Sequence, residues 1–141
     1  MMQSREFSLP LRVYIEDTDA GGIVYYVNYL KFMERSRTEF MRDVGFDKNY
    51  IFSENMMFVV RTVSVTYLKP AKLDDELVAS AGVTRVGGAT MTFHQSVSRA
   101  GEVLAEGEVT IACVDKAGIT PRRIPKIMRD KIQPLKLELD A

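Results

Sequence analysis

Residues 28–45 read Asn-Tyr-Leu-Lys-Phe-Met-Glu-Arg-Ser-Arg-Thr-Glu-Phe-Met-Arg-Asp-Val-Gly, and this stretch decides the fold. Apolar side chains recur there every three to four residues, which predicts one long amphipathic helix. Asn28 is a candidate N-cap and Gly45 a C-terminal stop, although the apolar run of residues 23–27 allows a start up to one turn earlier. The predicted buried face consists of Tyr29, Phe32, Met33, Ser36, Phe40 and Val44.

The segments around this helix have the two-residue alternation of strands. Because tight Gly-containing turns join the last strands, the sheet must be antiparallel, and the class is α+β, with the sheet laid around one long helix. We expect a single domain over residues 1–141 whose open sheet edges pair in a homodimer or homotetramer. The predicted order is strand 7–16, the helix, a loop over 48–55, a strand around 62–69, strands 77–86, 90–99 and 103–115, and a short helix 126–132.

Composition excludes several classes of protein. Nineteen basic residues balance nineteen acidic ones, so the chain lacks the positive field on which nucleic-acid binding depends. No apolar stretch approaches the roughly 20 residues of a membrane span. With one cysteine, Cys113, and no recognisable export signal, the expected location is the cytoplasm.

The loop before the helix holds the most promising chemistry. It reads Asp17-Thr18-Asp19-Ala20-Gly21-Gly22. Asp19 there has a structural interpretation, as a cap on the helix amides, and a chemical one, because those amides can also stabilise an oxyanion beside a carboxylate. His94 is expected on a solvated strand face and Cys113 in the core, and no cluster of metal ligands is evident.

The sequence from Glu16 to Tyr29 resembles the signature of hotdog-fold acyl-CoA thioesterases, and the likeness extends through residues 32–39 and 67–70. It is most similar to the Tol–Pal-associated thioesterases of the 4-hydroxybenzoyl-CoA thioesterase family. This resemblance implies an antiparallel sheet wrapped around one helix, a dimer or a tetramer of dimers, and hydrolysis of acyl-CoA to a free acid and CoA.

The resemblance also implies roles for individual residues. The family's catalytic carboxylate falls on Asp19, with Asp17 in support, and the backbone N–H of Tyr26 is the donor to the thioester oxygen. Many Tol–Pal-associated members have His where this chain has Tyr26, so a mechanism that needs an imidazole is not expected. Gly22 and Tyr25, in the turn into the helix, are expected to contact substrate, and no cofactor or metal is required.

Several alternatives stay open at this point. Asp19 could attack the carbonyl directly or activate water. A hotdog dehydratase would need a histidine beside the acid, and a non-catalytic module would bind acyl carrier or envelope proteins. Arg85 and Arg122, out of several basic residues, are candidates to contact CoA phosphates, and Met56, Met57 and Phe58, placed before the long strand, could shape the acyl pocket.

Overall fold

The long helix forms as predicted, with a different start. In the computed structural model, which describes residues 6–137, it is α1, Tyr26–Asp43. Gly45 follows with φ of 105°, a left-handed conformation that suits glycine, so the predicted C-terminal stop is confirmed. The prediction that Asn28 is the N-cap is wrong, because Tyr25 takes that position and Asn28 lies in the first turn.

Five strands form one antiparallel sheet in the order β1-β3-β4-β5-β2, which confirms the predicted α+β class. Beside α1, two short helices and two 3₁₀ turns, at Ile15–Asp17 and Gln133–Leu135, complete the described elements. The strands are β1 (Phe7–Arg12), β2 (Met56–Tyr67), β3 (Glu76–Val86), β4 (Thr90–Arg99) and β5 (Glu102–Asp115), and the short helices are α2 (Lys48–Ser53) and α3 (Lys126–Ile132).

The apolar stripe of α1 is buried against one face of this sheet. Phe32, Met33 and Phe40 are fully buried, and the Phe40 ring meets that of Phe93 on β4 edge-on at 5.7 Å between centroids. The Ser36 hydroxyl donates to the carbonyl of Ala79 on β3 at 2.8 Å, which fixes the helix to the sheet. Burial of one such aromatic side chain contributes about 2–3 kcal/mol.

Three local predictions are wrong. The first strand ends at Arg12 rather than residue 16, because Asp17 accepts a hydrogen bond from Tyr14 N–H and closes a 3₁₀ turn. The predicted loop 48–55 contains α2, whose N-cap Asp47 accepts from Tyr50 N–H at 2.9 Å. Residues 56–58, placed before the long strand, are its first three residues.

The sheet has two edges, β1 and β2, and β2 is poorly covered. Val60 and Val63 remain 53% and 45% exposed. Such exposure is unusual on an edge strand, because an unprotected apolar edge can pair with another chain. Among residues 6–137, no helix has the length and apolar character needed to cross a membrane. Both ends of the predicted domain 1–141 lie outside the described residues.

Candidate active site

A tight hairpin leads into α1 and carries Asp19 near its tip. Asp19 N–H donates to Ile23 O at 3.0 Å, Gly22 N–H donates to Asp19 O at 3.1 Å, and Tyr25 N–H donates to Asp17 O at 3.0 Å. Gly22 has φ of 77°, a left-handed conformation that a residue with a side chain adopts at a cost. The hairpin therefore sets the distance between Asp19 and the start of the helix.

The Asp19 carboxylate is exposed and does not cap α1. Its Oδ1 accepts from Gly21 N–H at 2.8 Å inside the hairpin, and its Oδ2 accepts no hydrogen bond from residues 6–137. The structural interpretation of Asp19 as a helix cap is therefore wrong. One oxygen orients the carboxylate and the other faces solvent, as a nucleophile or a base requires.

The N-terminus of α1 keeps unused donors. No side chain in the described part of the chain accepts a hydrogen bond from the backbone N–H groups of its first turn, and Asn28 N–H donates to Tyr25 O at 2.8 Å. The N–H groups of Tyr26 and Val27 therefore have no intrahelical acceptor. At the positive end of an 18-residue helix, these donors can stabilise a developing oxyanion.

Asp17 connects the hairpin to the helix. It is 5% exposed, and its two carboxylate oxygens accept from Tyr14 N–H and from Asn28 Nδ2, both at 2.9 Å. Because Asn28 belongs to the first turn of α1, this contact fixes the hairpin against the helix. Asp17 therefore positions Asp19 rather than facing solvent itself.

The segment between β2 and β3 supports the hairpin from the other side. Val24 N–H donates to Ala71 O at 2.9 Å, and Leu73 N–H donates to Gly22 O at 3.0 Å. The Tyr29 hydroxyl on α1 accepts from Ala71 N–H at 2.9 Å. Sequence reasoning missed this segment, although the turn residues that begin at Pro70 were a signal that it is fixed in shape.

An ion pair holds the same segment to β4. Arg99 Nη1 lies 2.7 Å from Asp75 Oδ2, which also accepts from Lys72 N–H at 2.8 Å. Partial burial opposes the charge on Asp75, but these two donors lower its pKa below the ordinary value. Lys69 and Arg99 both form ion pairs with Glu102, so both basic side chains already have an acidic partner within the chain.

Tyrosine rings line a cavity of about 250 Å³ beside the helix start. The Tyr26 and Tyr67 rings lie edge to face with centroids 6.0 Å apart, and the Tyr25 ring lies 4.9 Å from that of Tyr26. The neighbouring Tyr26 hydroxyl raises the pKa of Tyr25, and partial burial raises that of Tyr67. The phenols of Tyr25 and Tyr67 are therefore neutral at pH 7.

The structure does not bring Arg85 and Arg122 to Asp19 within one chain. Arg85 lies nine residues along β3 from Glu76, about 30 Å from the end of the strand near the hairpin. Arg122 donates to the backbone carbonyl of Glu54, just before the first residue of β2. The other end of β2, at Tyr67, is the one near the helix start.

His94 and Cys113 are placed as predicted. His94 alternates with the buried residues of β4 and pairs with Gly82 and Glu108, so it is on the sheet face away from α1. Cys113 is buried against the Met56 sulfur, and burial raises the pKa of its thiol. Within residues 6–137, no group of three or more His, Cys, Asp or Glu side chains could hold a metal ion.

The chain belongs to the thioesterase superfamily, because the sequence profile of that family matches residues 21–106. It is 42% identical over 136 residues to the acyl-CoA thioesterase YbgC of Haemophilus influenzae, covering 96% of this chain and 100% of the relative. It is also 42% identical to the acyl-CoA thioester hydrolase YbgC of Escherichia coli, covering 89% and 94% of the two chains.

Solved structures agree with this family. A probable thioesterase from Bartonella henselae superposes with a TM-score of 0.82 at 34% identity, covering 86% of this chain and 100% of that one. A 1,4-dihydroxy-2-naphthoyl-CoA thioesterase from Synechocystis gives 0.83 at 19% identity over 92% and 96% of the two chains, a likeness in fold. The predicted hotdog fold and family are confirmed, and the Tol–Pal-associated subfamily stays a prediction.

Proposed function

We propose that this protein hydrolyses acyl-CoA thioesters to a free acid and CoA at the junction of the hairpin and α1. The observation that carries the proposal is the pairing of an exposed carboxylate, Asp19, with the uncapped first turn of α1. Family membership and the names of the two YbgC relatives support the same reaction. Since CoA thiolate is a good leaving group, one carboxylate and an oxyanion site are a sufficient set of groups.

The hairpin gives the reacting groups their spacing. Asp17 is opposite Tyr25, so the Asp19 backbone is two residues further out, about 7 Å along the hairpin. A thioester between them would accept from the Tyr26 N–H at its carbonyl oxygen while its carbon faces the Asp19 carboxylate. Negative charge then develops on that oxygen at the positive end of the helix, which lowers the barrier.

Two forms of the chemistry fit this arrangement. Asp19 can add to the carbonyl carbon and expel CoA thiolate, which leaves a mixed anhydride that water hydrolyses. Alternatively, Asp19 removes a proton from a water molecule that attacks the same carbon. In both, Tyr26 acts through its backbone N–H, Gly22 gives the hairpin its turn, and the exposed Tyr25 ring is placed to contact the bound substrate.

We also propose that the working form is a homodimer or homotetramer assembled through β2. This strand is a sheet edge, and its second half, residues 60–67, has exposed apolar side chains, including Tyr67 at 43%. Pairing with the same strand of a second copy would satisfy its free backbone groups. Such a pairing would also allow Arg85 and Arg122 of one subunit to approach the site of another.

A thiol-release assay tests the proposal. The purified protein should release CoA from at least one member of a panel of aliphatic and aromatic acyl-CoA thioesters, and an acyl carrier protein thioester extends the panel to a larger substrate. A non-catalytic module would bind acyl-CoA and release no thiol. Light scattering across a dilution series should show a dimer or tetramer, and we expect the protein to act in the cytoplasm.

A further inference from the structure

A groove follows α1 away from the proposed site. Along the helix, its lining extends from Val27, the residue after Tyr26, to Arg37, and its volume is about 240 Å³. Most of its lining residues are apolar, as an acyl group requires. They include Val27, Leu30 and Met33 on the helix and Val60, Val63 and Val109 on the sheet.

A cation stands at the far end of this apolar groove. The Arg37 guanidinium donates to Gln95 Oε1 at 3.0 Å, the one hydrogen bond it makes with residues 6–137. Burial lowers its pKa, yet an arginine keeps its proton at pH 7. A guanidinium has five N–H donors, so Arg37 retains several for a ligand.

Gln95 fixes the direction of Arg37. It is fully buried, and its Nε2 donates to Met33 O at 2.9 Å and to Ser80 O at 3.1 Å. Both of those partners are carbonyls, so the amide nitrogen must face them and Oε1 must face Arg37. The guanidinium is therefore positioned before any substrate arrives, which limits the entropy that binding would cost.

We infer that Arg37 is a specificity-determining residue that binds a carboxylate at the distal end of the acyl group, so that the preferred substrates are CoA thioesters of dicarboxylic acids. This rests on the proposed function. Arg37 matches a carboxylate with two parallel N–H donors. Lys31 lines the groove and Lys48 its continuation beside Arg37, and Glu34 is the one acid among the lining residues of both.

The helix sets the length of the preferred acyl group. Gln95 Nε2 donates to the carbonyl of Met33, seven residues after Tyr26 on α1. At about 1.5 Å per residue, the distance along the helix from Tyr26 to Met33 is about 10 Å. An extended carbon chain advances about 1.25 Å per bond, from a bond of about 1.5 Å and an angle near 111°. Allowing for the hydrogen bonds at each end, we expect a chain of about six to eight carbons.

The test compares substrates of equal length. Plain acyl-CoA and ω-carboxyacyl-CoA thioesters with four, six, eight and ten carbons are assayed with wild type, Arg37→Met and Arg37→Lys. Wild type should prefer the carboxylated member at six to eight carbons. Arg37→Met should reduce that preference in kcat/KM by about tenfold or more, with little change on the plain substrate, and Arg37→Lys should restore part of it. Arg35→Met, an exposed arginine on the same helix, is the matched control.

Three results would overturn the inference. Equal losses on both substrate series would make Arg37 structural, and an unchanged preference in a folded Arg37→Met would remove it from the acyl site. A change of oligomeric state in Arg37→Met, with selectivity unchanged, would show that a second copy fills the groove. Lack of thiol release by wild type on every substrate would instead overturn the proposed function, so the two failures are distinguishable.

Discussion

The contact between Asp17 and Asn28 makes a prediction about stability and activity together. Asp17→Ala removes a buried carboxylate that accepts two hydrogen bonds of 2.9 Å, from Tyr14 N–H and Asn28 Nδ2. Hydrogen bonds to a charged group contribute about 1.5–3 kcal/mol each, so the free energy of unfolding should fall by about 3–6 kcal/mol. This is a large share of the roughly 5–15 kcal/mol of a typical domain.

A double-mutant cycle with Asn28→Ala isolates the side-chain contact. Urea unfolding of the wild type, both single variants and the double variant should give a coupling free energy of about 1–2 kcal/mol. Because the contact holds the hairpin that carries Asp19, both single variants should also lose kcat at temperatures where they remain folded. A coupling below about 0.5 kcal/mol, or full kcat in folded Asp17→Ala, would refute the positioning role.

Three further predictions concern metal independence, a close packing contact and the pH dependence of stability. Activity should survive exhaustive chelation. Loss of activity on chelation, followed by its restoration with added zinc or manganese, would contradict this prediction. Gly107→Ala should destabilise by more than about 3 kcal/mol in urea unfolding, because its Cβ would lie 2.1 Å from the backbone oxygen of Ser64. The pKa of Asp75 is lowered in the folded protein, so its ionised form stabilises the fold. Wild type should therefore be more stable than Asp75→Asn at pH 7, by up to about 1 kcal/mol. This difference should disappear as the pH falls below about 4.

The strands and turns of the second half of the chain were predictable because local chemistry decides them. The turn at Ala100 and Gly101, both with positive φ, separates strands whose predicted and observed bounds differ by at most one residue. The missed helix α2 shows the limit. Its cap, Asp47, preceded a polar and aromatic segment without clear periodicity, so a loop was the natural interpretation.

The candidate site was predictable where its residues are adjacent in sequence. Asp19 and Tyr26 belong to one continuous motif, and the structure adds that no side chain caps the helix start. The pairing of Asp17 with Asn28 depends on a 3₁₀ turn that residue patterns do not indicate. Arg37 and Gln95 are 58 residues apart, and the one signal was a glutamine among the inward-facing apolar residues of β4.

The central claim is that the Asp19 carboxylate performs the chemistry, and the most direct test is kcat of Asp19→Asn on a good acyl-CoA substrate. Asn can still accept the Gly21 N–H bond, so the free energy of unfolding should change by less than about 1 kcal/mol. As a far weaker nucleophile and base, it should lower kcat by about 100-fold or more. Asp17→Asn should retain much more activity, and Tyr26→Phe most of it, because the proposed donor is a backbone N–H. Near-normal kcat in a folded Asp19→Asn would contradict the account, and a large loss confined to Tyr26→Phe would assign the chemistry to the phenol.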